Sequence, residues 1–81
     1  MIRLFEFTDD EDLILLLNDG RLYKFDIFTY TCNYKIASSA FFDNNIIDAK
    51  LFEGGIVCLT QNGDFYIINN LKEPNATLYF S

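Results

Sequence analysis

The chain has no His, no Trp, one Pro and two Cys, and it sets only six basic residues against twelve acids over 81 positions. Each shortage removes a class of chemistry. Without His, the Cys–His and Ser–His pairs that activate a nucleophile cannot be assembled. Two Cys and no His do not supply the four ligands of a structural zinc site. They are also too few to staple a small secreted fold, so Cys32 and Cys58 are expected to be reduced thiols in a cytosolic protein, packed in the core from apolar strand positions. The bases Arg3, Arg21, Lys24, Lys35, Lys50 and Lys72 are scattered and the formal charge is −6. Nucleic-acid and anionic-lipid surfaces need clustered cations, so neither partner is expected.

Long apolar runs are missing too. The longest is Leu13 to Leu17, where a spanning helix needs roughly 20 residues, so no direct membrane insertion is expected. The first residues lack the basic start and apolar stretch of a signal peptide, and the sequon Asn75-Ala76-Thr77 is therefore expected to stay unmodified. What remains is substantial: 51% of the chain is apolar and 17% aromatic. That excludes a disordered acidic tail and leaves one small folded unit, or a piece of a larger one.

The chain repeats. An offset of 43 residues sets Asp19-Gly20 on Asn62-Gly63, Tyr23 on Tyr66 and Asp26 on Asn69. This lies within the roughly 40–45 residue spacing of four-stranded propeller blades. Asp-Gly and Asn-Gly suit a type I′ turn, whose twist matches that of flanking strands, so each copy is expected to be a hairpin turning at its glycine. Leu13 to Leu17 and Phe65 to Ile68 are apolar on both faces, as strands between stacked sheets are. Thr31 to Ala37 alternates, with Cys32, Tyr34 and Ile36 on one face, as a half-exposed outer strand does.

The expected strands are 2–7, 13–18, 21–28 and 31–37, then 45–52, 56–61, 64–69 and 76–80. The fold class is all-β: antiparallel four-stranded sheets forming about two blades of a WD40-like β-propeller, blade one near 1–39 and blade two near 40–81. Repeat units generally need about three or more copies to bury a continuous core. The chain is therefore expected to be part of a larger protein, or to self-associate through open sheet edges. The other reading that periodicity allows is a stand-alone barrel or sandwich of seven or eight strands, binding a ligand or nucleic acid.

No catalytic, cofactor-binding or metal-binding residue is expected. The cluster Asp9-Asp10-Glu11-Asp12 lacks the ligand spacing and turn glycine of a calcium loop and reads as a solvated connection. Asp19, Asp26, Asp48 and Asp64 fall at turns or strand ends, with nothing to converge two carboxylates. Gly54-Gly55 lacks the Lys and the following helix of a phosphate cradle and reads as a tight turn. The five Tyr and nine Phe read as core, because a base-stacking surface would add a basic groove.

Two stretches resemble a known family. Leu13 to Gly20, then Tyr23 and Phe25-Asp26-Ile27-Phe28, is similar to L-x-x-L-x-x-D-G-x-x-x-x-Y-D-L-x-G. Asn45-Ile46-Ile47-Asp48-Ala49-Lys50-Leu51-Phe52, then Gly55-Ile56-Val57-Cys58-Leu59-Thr60, is similar to V-L-D-A-R-I-F followed by G-x-G-V-A-x-L-T. Both patterns belong to the N-terminal domain of the vacuolar protein sorting-associated protein 16 family. Phe28-Thr29 departs from the family's glycine, and Asn69-Asn70-Leu71 matches weakly. The resemblance implies an interior pair of blades from a propeller of roughly seven. It also implies a non-catalytic scaffold role among the protein subunits of HOPS- or CORVET-type tethering complexes. Location would be cytoplasmic, peripheral on endosomes and the lysosome or vacuole through complex assembly. The helical solenoid that engages a Sec1/Munc18-type subunit in the family lies outside this chain, so that partner is not expected here.

Overall fold

Alternating and continuous apolar runs broken by Gly, Asn and Asp build strands and tight turns. The computed structural model describes residues 1–80. The strands are β1 Ile2–Phe7, β2 Leu13–Leu17, β3 Arg21–Asp26, β4 Thr31–Ile36, β5 Ile46–Phe52, β6 Gly55–Thr60, β7 Phe65–Asn69 and β8 Asn75–Phe80, with one 3-10 turn at Ser39–Phe41. They form two four-stranded antiparallel sheets, each a meander in chain order, β1-β2-β3-β4 and β5-β6-β7-β8. These are two propeller-like blades; neither sheet closes into a barrel, one of the two forms the other expectation allowed, while the pairing of two sheets is shared with its sandwich form. No helix among the described residues is long and apolar enough to cross a membrane.

The glycine hairpins form by a different turn from the expected one. Gly20 N–H donates to Leu17 O at 3.1 Å and Gly63 N–H to Thr60 O at 3.0 Å. The glycines have φ of +88° and +84°, whereas Asp19 and Asn62 are not in the left-handed region. Each loop is therefore a type I turn closed by a left-handed glycine, the three-residue G1-bulge hairpin. The pairing Leu16↔Leu22 gives its register. The type I′ turn occurs instead at Glu53-Gly54, between the paired Phe52 and Gly55, with φ of 47° and 80°. Strand β3 stops at Asp26, short of the expected Phe28. The Asp26 carboxylate accepts from Phe28 N at 2.9 Å and Thr29 N at 3.3 Å, which turns the chain into β4.

The core lies between the two sheets. One face of the first contributes Leu4, Ile14, Leu16 and Leu22, and the facing side of the second contributes Ile46, Ala49, Ile56, Cys58 and Ile68. Burying each large side chain contributes about 1.5–3 kcal/mol. The inner strands β1 and β5 lie side by side: Arg3 Nε donates to Ile46 O at 2.7 Å and Ile46 N to Asn18 O at 2.8 Å. Phe41, fully buried in the crossover, meets the Tyr66 ring edge-on at 5.0 Å. Ala76 N also donates to Ala37 O at 3.3 Å, tying the start of β8 to the end of the first sheet.

Candidate functional site

The carboxylates singled out in the sequence are each taken up locally. Asp19 pairs with Arg21 at 2.8 Å. Burial raises its pKa, but the Arg21 side-chain and backbone hydrogen bonds together outweigh that and hold it below the ordinary value. Asp26 is also held low, by the backbone N–H groups of Phe28 and Thr29. Asp48 accepts from Ala49 N at 2.9 Å. Asp64 accepts from Asn44 Nδ2 at 3.0 Å, and Asn44 Oδ1 accepts from Asn62 N at 3.1 Å. Asn44 thereby fixes the crossover to the β6–β7 turn. In the acidic loop, Thr8 O accepts from Glu11 N at 3.0 Å, and Asp12 forms an ion pair with Lys24 at 3.2 Å. Gly55 serves a close approach, since a Cβ there would stand 2.6 Å from Ile68 O.

Two expectations about the core need correction. Cys58 is fully buried, and burial pushes its thiol pKa up to about 12. Cys32 is exposed. It sits on β4, every residue of which is exposed, so the strand expected to hide one face hides neither. The aromatic side chains are the second correction. Phe41 is the one buried in the core, while Phe5, Phe7, Tyr34, Phe52, Tyr79 and Phe80 are exposed.

The reason is parity. Residues paired across an antiparallel sheet share a face. The pairs Phe5↔Leu15, Leu15↔Tyr23 and Tyr23↔Tyr34 run across the whole first sheet on the side away from the second. Phe7↔Leu13, Leu13↔Phe25 and Phe25↔Cys32 run beside them. On the outer side of the second sheet, Phe52, Val57, Phe65, Ile67, Tyr79 and Phe80 line an apolar concavity of about 450 Å³. Each sheet thus has one apolar face in the shared core and a second apolar face turned outward. The continuous apolar run of β2 is buried on alternate residues and half-buried on the others.

A cleft of about 380 Å³ opens between the outer parts of the two sheets. Leu22, Lys24, Asn33 and Lys35 line it from β3 and β4, and Leu71 and Lys72 from the β7–β8 loop. Three of the six bases that look scattered along the chain, Lys24, Lys35 and Lys72, are gathered here. A second hollow of about 520 Å³ shares Lys24, Leu71 and Lys72 with it, and is also lined by Asp9, Asp10, Asp12 and Glu53. Half of this arrangement is legible from parity, because Lys24 and Lys35 occupy the same face as Leu22. Lys72 comes from the other sheet and has no local signal.

Comparison with known proteins gives the chain a family. The family described as Vps16, N-terminal region, matches residues 1–79. The protein VACUOLELESS1 of Arabidopsis thaliana is 27% identical over 66 residues, which is 80% of this chain and 8% of that protein. The chain therefore spans a small fraction of the length of this relative. The family match runs through both sheets and the crossover that Phe41 anchors, and on it the chain belongs to the Vps16 N-terminal region family.

Proposed function

We propose that this chain is a non-catalytic scaffold segment of a vacuolar protein-sorting subunit: two neighbouring propeller blades, near 1–39 and 40–81, that act by binding other proteins. The single observation that carries the reading is the pair of outward apolar faces flanking one shared core. A stand-alone domain hides most of its large apolar surface, and contiguous exposed patches mark places where another surface docks. Here the outer sides match the inner ones in kind, as expected of interior wedges of a ring that further blades would cover.

Membership of the Vps16 N-terminal family and likeness to a protein named VACUOLELESS1 support a role in vacuolar sorting. The parent protein would then belong to a HOPS- or CORVET-type tethering complex. It would be cytoplasmic and reach endosomal and vacuolar membranes through its protein partners. The test is to tag the polypeptide carrying this chain in its own cell and isolate it under mild conditions. Recovery of tethering-complex subunits in stoichiometric amount is the expected result. Isolation of the intact polypeptide without such subunits would overturn the reading.

A further inference from the structure

We infer that the cleft lined by Lys24, Lys35 and Lys72 is a docking site for a short acidic peptide segment of a partner protein. The inference rests on reading the chain as a protein-binding segment, and it names the place and the chemistry. Three of the six bases converge on this one cleft, and none of its lining residues is acidic. Lys24 is anchored by Asp12 at 3.2 Å, with about a fifth of its side chain exposed. Among the described residues, Lys35 and Lys72 form no ion pair. Both line the same gap between the two sheets, and their like charges make it a place where an incoming anion is favoured.

The surroundings select the class of anion. Leu22 and Leu71 give the cleft an apolar lining, against which a side chain next to a carboxylate can pack. Asn33 adds an amide that can donate to a carboxylate or accept from a peptide N–H. The adjoining hollow carries Asp9, Asp10 and Glu53, within a chain of net charge −6. Those acids repel a phosphate polymer or an anionic bilayer, whose charge extends far beyond the cleft. A peptide with a few carboxylates at one end and neutral or basic residues beyond them fits both halves.

The test uses the 81-residue chain and a fluorescein-labelled peptide, Glu-Glu-Leu-Leu-Lys-Lys, read by anisotropy at low and moderate salt. The expected result is saturable binding that weakens with salt. Lys35→Glu combined with Lys72→Glu should weaken it about tenfold or more. Lys50→Glu on β5, a surface substitution outside the cleft, should leave it unchanged. The Lys35→Glu, Lys72→Glu variant should in turn prefer the reversed-charge peptide Lys-Lys-Leu-Leu-Glu-Glu. Equal affinity for all variants would overturn the proposal. So would competition by millimolar inorganic phosphate, or preferential binding to phosphatidylserine vesicles, because either makes the cleft a general anion site. Peptide binding by a chain whose parent recovers no tethering subunits would leave the cleft standing while the complex assignment fails.

Discussion

Gly20 stands directly against Phe41: a Cβ at Gly20 would lie 2.7 Å from the Phe41 Cδ2 atom, while a Cβ at Gly63, the same position of the second hairpin, would meet nothing within 4 Å. The two glycines share a turn and differ in their neighbours. Both lie in the left-handed region, so replacement by Ala costs each about 1–2 kcal/mol. Gly20→Ala adds the overlap with Phe41, about 1–3 kcal/mol more. Urea titration should therefore show a clearly larger loss for Gly20→Ala than for Gly63→Ala, and equal losses would contradict this account.

The outward faces predict self-association. Sedimentation of the purified chain at tens of micromolar should reveal oligomers, since apolar faces and unpaired edges recruit other copies. Replacing Tyr79 and Phe80, both well exposed on β8, with Lys should shift the distribution toward monomer without loss of the core. A wild-type chain that stays monomeric would argue for a self-sufficient module.

The two thiols should separate cleanly in reactivity. Cys32 is exposed, whereas Cys58 is fully buried with its pKa pushed up to about 12 by burial. Thiolate is the reactive form. A thiol-specific chromogen should titrate one group in the native chain and two in denaturant, and Cys32→Ser should abolish the native reaction.

Acid should loosen the turns. The folded-state pKa values of Asp19 and Asp26 lie below the ordinary 3.8. A depressed carboxylate stabilises fully above its unfolded value, and the contribution disappears as pH falls through the folded value. Stability should thus be level above about pH 5 and decline below about pH 4. Asp26→Ala should destabilise at pH 7, with the gap to wild type narrowing by pH 2, as monitored by thermal unfolding. A gap independent of pH would rule out the charged form of Asp26 as the source.

Glu53 is a poor residue for its turn. It holds φ of 47° in the first position of the type I′ pair Glu53-Gly54, where Asn is favoured. Glu53→Asn should raise stability by about 0.5 kcal/mol, seen as a higher urea midpoint with unchanged slope.

Local chemistry determined much of this molecule. Turn residues at Asp19-Gly20 and Asn62-Gly63, with apolar runs on either side, specify the two β2–β3 and β6–β7 hairpins, because backbone twist and side-chain alternation act over a few residues. The 43-residue repeat then carried the whole order of strands. Turn type was not legible, because whether Asp19 joins Gly20 in the left-handed conformation depends on the register of the flanking strands. Tertiary structure alone decided which of two equally apolar faces became core: Leu4, Ile14 and Leu16 are covered, while Phe5 and Phe7 are not. Alternation says that a strand has two faces, but only the placement of the second sheet says which one meets it. The same placement brings Lys72 to Lys24 and Lys35 across a gap that no sequence spacing records.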